Sequence, residues 1–149
     1  MKKIHLGHGG HRIPGWENYE KHQINIEQPL PFGNETIDRI FLEHVLEHVN
    51  PIKGFLFLKE AFRVLKHDGI LRVIVPDVVR IQKYSNEAYK NFIRRKCGMS
   101  PVESIICNWD HKAIYSSDLL ETLLKEVGFN KCIFCNPCSS DDVHLKNID

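Results

Sequence analysis

"IDRIFLEHVLEH", residues 37–48, decides the fold. Its first half carries Ile37, Ile40, Phe41 and Leu42, the apolar run of a central strand buried on both faces. Its second half, "HVLEH" at residues 44–48, fits two unrelated chemistries. On a helix, His44 and His48 would share one face and could ligate zinc, with Glu47 as general base. That reading needs a long helix beneath the histidines. The run before them reads as a strand, and Pro51 follows only three residues after His48, so the segment is a strand that ends at the motif. His44, Glu47 and His48 remain the candidate ligands if a metal is present, but the site is read as metal-free.

Working outward, "KIHLG" (3–7) is a short apolar run stopped by glycine, a strand feeding a tight loop. Pro14 and Gly15 prevent a long helix from following it. "WENYE" and "QINI" read as two further short strands before the turn "PLPFGNET". From Pro51 to Lys66, Phe55, Leu58, Phe62 and Leu65 recur at helical spacing; "ILRVIV" (70–75) is a β-branched strand, and a second helix is expected from about Val78 to Lys96. Residues 97–114 are ambiguous. "SSDLLETLLKEVGF" is a serine-capped helix closed by Gly128, and "KCIFC" and "VHLKNI" are expected to pair as an antiparallel hairpin. Strands alternating with helices predict one α/β domain over residues 1–149, a Rossmann-like, doubly wound, mostly parallel sheet with an antiparallel C-terminal hairpin strand. Ligands of such sheets bind beyond the carboxyl ends of the strands, where the strand order switches. Three groups follow strands: "GHGGH" after the first, Glu20 after the second, and "EHVLEH" after "IDRIF".

At 149 residues the chain is long enough for one core and too short for two ordinary domains. Twenty Lys and Arg against 19 Asp and Glu make no electrostatic case for nucleic acid or an anionic membrane, and a small-molecule partner is expected. The run Arg94-Arg95-Lys96 reads as a solvated helix end. No stretch approaches a transmembrane helix, and "MKKIHLGHGG" turns to histidine and glycine where a signal peptide would have an apolar core, so a cytoplasmic location is expected. Five cysteines without an export signal argue for reduced thiols. "CIFCNPC" places Cys132, Cys135 and Cys138 at metal-ligand spacing, but a fourth ligand is not obvious, and buried or edge thiols are the preferred reading.

In "GHGGH", Gly7, Gly9 and Gly10 can adopt dihedrals denied to other residues, which lets a ligand approach the backbone. Arg12 stands where the third glycine of G-x-G-x-x-G would fall, so the nicotinamide fingerprint is not met. The stretches "IHLGHGGHRIPGWENYE", "INIEQPLPFGNETIDRIFLEHVLEHV", "FLKEAFRVLKHDGILRVIVPD" and "HKAIYSSDLLETLLKEVGF", all in register, resemble the small class I S-adenosylmethionine-dependent methyltransferases of Rossmann-like fold.

The resemblance implies S-adenosylmethionine as cofactor and assigns positions to it. The loop from Gly7 through His8 and Gly9 to Gly10 would pass under the methionine part; Glu20 would accept from both ribose hydroxyls, as suits an acceptor-only carboxylate. Asn25 and Ile26 fall at the adenine-contacting position, and Leu42, Glu43 and His44 would lie alongside the transferable methyl group. His111 and His44 are the candidate catalytic bases. The implied function is methyl transfer to an oxygen or nitrogen nucleophile of a small acceptor; sequences of this kind often accompany genes for sugars and surface polysaccharides, which suggests a carbohydrate-derived one. His8 stands where the family usually has a small residue or cysteine, and "RIPGW" replaces a full helix. With no N-terminal lid, the acceptor pocket is expected from residues 78–115 or from a partner chain in a homo-oligomer. The rival reading is a degenerate domain that binds cofactor or serves as an interaction module without catalysis.

Overall fold

A computed structural model describes residues 1–148. Four strands, β1 (Lys3–Leu6), β2 (Glu17–Tyr19), β3 (Ile37–Glu43) and β4 (Leu65–Ile74), form one sheet in the order β2-β1-β3-β4. Every pairing is parallel, with Ile4 opposite both Glu17 and Ile40, and Leu6 opposite both Tyr19 and Leu42. The chain therefore runs from β1 to one edge and returns to build the other side, which puts the order switch between β1 and β3. Five helices follow: α1 (Pro51–Val64), α2 (Val78–Tyr84), α3 (Glu87–Cys97), α4 (Pro101–Asn108) and α5 (Ser117–Val127). None is long and apolar enough to cross a membrane.

The period of two along each strand sorts side chains to opposite faces. Ile4, Leu6, Ile40 and Leu42 share one cluster with Phe57, Leu58, Ala61 and Val64 of α1 and Leu120 of α5. Helix α1 starts where Asn50 Oδ1 accepts from Ile52 N at 2.9 Å with Pro51 at the first turn, and it runs straight into β4. Its Glu60 and Arg63 clamp the preceding loop: Glu60 accepts from Leu30 N at 2.9 Å, and Arg63 donates to the carbonyls of Phe32 and Leu30.

The other sheet face carries Phe41, packed with Ile13, Trp16 and Leu145. Here the expectation of a closing antiparallel hairpin is corrected. Residues 131–136 pair with no strand, and 143–147 form turns. The C-terminal segment instead lays Leu145 on the sheet, anchored by Arg39 Nε and Nη2, which donate to Asp142 Oδ2 at 2.8 and 2.6 Å. "QINI" is not a strand either. Its backbone is satisfied locally, with Gln23 N and Ile24 N both donating to Glu20 O at 2.9 Å, and Ile24 and Ile26 enter the core from turns. The long helix expected over 78–96 is two, broken where Asn86 caps α3 by accepting from Tyr89 N. The ambiguous 97–114 contains α4, opened by a Ser100–Glu103 capping box.

Candidate active site at the carboxyl edge of the sheet

The loop after β1 meets both of its partners. Gly7 N donates to Tyr19 O at 2.7 Å, at the end of β2. Gly7 also lies so close to Val45, just past β3, that a Cβ there would stand 2.5 Å from Val45 Cγ2, and its φ of +69° is one that glycine adopts without strain. Gly9 and Gly10 have positive φ and no atom within 4 Å of the position a Cβ would take, so the loop presents bare backbone on an open side. This cradle sits over the order switch. It fits a ligand that needs close approach to main-chain groups.

Beside it, His8 Nδ1 lies 3.1 Å from Glu20 Oε1 and 3.1 Å from Gly10 N. A single ring nitrogen can accept from the Gly10 N–H or donate to the Glu20 carboxylate, not both, so the loop has two hydrogen-bonding states. Below them His5, on β1, is buried against Phe41 with ring centroids 4.8 Å apart and Nδ1 3.2 Å from Asn18 Oδ1. Burial holds its pKa below the ordinary histidine value.

Of the remaining sequence candidates, Asn25 spends its side-chain oxygen on Glu27 N at 3.0 Å, forming its own turn. The side chains of Ile26 and Leu42 are in the core, so what they can offer a ligand is backbone. Glu43 ends β3, partly buried. His44 follows in the left-handed region at φ +53°, its ring largely exposed, with Nδ1 3.0 Å from Glu47 Oε1. That hydrogen bond raises the His44 pKa above the usual histidine value.

Residues 46–48 are a single 3-10 turn rather than a zincin helix. Glu47 is 1% exposed, and its Oε2 has no hydrogen-bond partner among the described residues. Its carbonyl accepts from Lys112 N at 2.8 Å and Ala113 N at 3.1 Å, which ties the loop of His111 to this turn and sets the His111 ring edge-on to His48, centroids 4.8 Å apart. The structure thus brings His111 to Glu47 and His48. Sequence reasoning missed Tyr115, buried with its hydroxyl unpartnered and its pKa raised by burial and by the charge of Glu47. Its only sequence signal is its place at the end of "WDHKAIY". Among the described residues the three cysteines of "CIFCNPC" form no ligand cluster; Cys135 and Cys138 are exposed, and Cys132 is half-buried outside any strand.

The family model described as "Methyltransferase domain" matches residues 10–73, from the glycine loop to β4. No curated protein sequence matches the chain. Among solved structures, a SAM-dependent methyltransferase of Thermotoga maritima, named a possible histamine N-methyltransferase, is 19% identical at TM-score 0.57 over 87% of this chain and 64% of its own. A SAM-dependent methyltransferase from Archaeoglobus fulgidus is 14% identical at TM-score 0.55, over 87% of this chain and 61% of its own. The chain therefore spans less than two thirds of the length of these two structures. With its parallel sheet, its open glycine loop and that domain signature, the chain has the Rossmann-like fold of the class I S-adenosylmethionine-dependent methyltransferases.

Proposed function

We propose that the chain transfers a methyl group from S-adenosylmethionine to an oxygen or nitrogen nucleophile of a small acceptor, carbohydrate-derived in the finer form of this reading. The observation that carries it is the open backbone at Gly9 and Gly10, placed at the order switch between Glu20 and the turn after β3. The bound cofactor supplies an already activated methyl group on a sulfonium, so the protein's task is alignment and exclusion of water. The main-chain groups of Gly7, His8, Gly9 and Gly10 hold the methionine end, and Glu20 accepts from the ribose diol. Asn25 and the Ile26 backbone border the adenine, while the Leu42 backbone, Glu43 and His44 flank the methyl group. His111 or His44 takes up the acceptor's proton where one must leave.

Calorimetric titration with S-adenosylmethionine and S-adenosylhomocysteine tests the pocket. Micromolar binding of both, lost in Glu20→Ala, is expected; no heat from either ligand would end the reading. The contact between His8 and Glu20 favours a second one, a domain that holds the cofactor weakly and works by interaction. Saturable binding without turnover across hydroxyl and amine acceptors would select it.

A further inference from the structure

We propose that Glu47, His48 and His111 form a binding site for one divalent transition-metal ion of the zinc class. Each offers one donor atom, and the three atoms lie within 4.8 Å of one another. Donors on a single zinc ion at ~2.1 Å sit about 3–3.5 Å apart, so ring rotations of an ångström or so close the set. This differs from the ligand set that "HVLEH" suggests: His111 enters from 63 residues downstream of His48, while His44 is engaged with Glu47 Oε1.

The independent sign of a ligand is Glu47 itself. Its side chain is 2% exposed, one oxygen is held by His44 Nδ1 at 3.0 Å, and the other is buried without a partner. A buried carboxylate with an unpaired oxygen is unfavourable unless a cation or donor reaches it. The two imidazoles beside it are the neutral donors that complete a metal site. The backbone has already assembled the arrangement, because the amide hydrogen bonds from Lys112 N and Ala113 N both end on the Glu47 carbonyl. With Oε2 on the ion, His44 would fix the carboxylate through Oε1, as outer-shell partners do in such sites.

Two imidazoles and one carboxylate select zinc, cobalt, nickel or iron over magnesium or calcium, which prefer all-oxygen shells. Three protein ligands leave a position open to water or to an oxygen or nitrogen ligand, and the half-buried His48 and His111 give the ion a route in. The site stands on its own geometry and does not depend on the methyltransferase reading; with His111 on the ion, His44 is the base left to that reading.

The test is titration of chelator-stripped full-length protein with Co2+ and, by calorimetry, with Zn2+. We expect one ion per chain, cobalt d–d absorption without a thiolate charge-transfer band, and the same result in Cys132→Ser/Cys135→Ser/Cys138→Ser. His111→Ala, which changes a loop side chain, and Glu47→Gln should each weaken binding at least about tenfold. A thiolate band that vanishes in the cysteine variant would overturn the assignment, as would no binding at millimolar metal or unaltered affinity in folded His111→Ala.

Discussion

His8 and the glycines around it carry the most informative single-residue changes. Its ring shares Nδ1 between the Gly10 amide and the Glu20 carboxylate, so a ligand that needs Glu20 has to displace a contact already made. One such hydrogen bond is worth about 1 kcal/mol net, a factor of roughly five in affinity. His8→Ala should therefore tighten S-adenosylmethionine binding by about that factor in calorimetry; weaker binding would mean that the ring holds the cofactor rather than competing with it. Gly7 and Gly9 should separate stability from binding. An added methyl at Gly7 meets Val45 and a disfavoured dihedral together, at a cost of about 3 kcal/mol, so Gly7→Ala should unfold at clearly lower denaturant. Gly9→Ala meets no atom and should cost only the ~1–2 kcal/mol of its φ, yet place a methyl where the ligand approaches. It should lose cofactor affinity at least tenfold while staying folded, and full affinity in that variant would move the cofactor away from this loop.

At the scale of elements, α1 is the piece that organises the site, since the turn of Glu47 and His48 feeds it and β4 leaves it. Glu60 ties it to the loop before β3. The hydrogen bond from Arg63, against some burial, lowers the Glu60 pKa below the ordinary glutamate value. A carboxyl whose folded pKa is depressed stabilises the fold fully above its unfolded pKa, and that contribution fades as pH falls through the folded one. Glu60→Gln should thus be about 1 kcal/mol less stable than wild type in urea at pH 7, and the gap should close in acid below the usual glutamate range. An equal gap at both pH values would show that the charge is not what matters. Much at this scale was legible in the sequence. Ile37–Glu43 and α1 announce themselves through their apolar periodicity, α1 also through Pro51 at its start, and α5 through leucines on one face between a serine cap and Gly128. "QINI" and the C-terminal hairpin failed because alternating apolar residues do not supply the neighbouring edge a strand needs; Ile24, Ile26 and Leu145 are buried without one, and Ile133 and Phe134 of "KCIFC" are exposed. The same limit hid the grouping of His111 with Glu47, which depends on two long-range backbone hydrogen bonds that no local pattern encodes.

Across the whole molecule the sheet separates two cores of unequal kind. Helices α1 and α5 cover the face of Ile40 and Leu42, whereas the face of Phe41 is covered by the loop carrying Ile13 and Trp16 and by the C-terminal segment through Leu145. The second cover has no ladder of its own and is held by burial and by the Arg39–Asp142 pair, each side chain 14% exposed. Leu145 is 2% exposed, so Leu145→Ala should cost about 2–4 kcal/mol, at the upper end if the segment cannot settle into the space. Leu58, on α1 across the sheet, is fully buried and should cost a similar amount. Since the two lie in separate clusters and share no partner, the double variant should lose the sum of the two within about 0.5 kcal/mol. Urea denaturation of the two single variants and the double variant measures this directly. Coupling well beyond that would show that β3, which presents Leu42 to one core and Phe41 to the other, transmits strain between them. A C-terminal segment that melted separately would appear as a lower m value in Leu145→Ala alone.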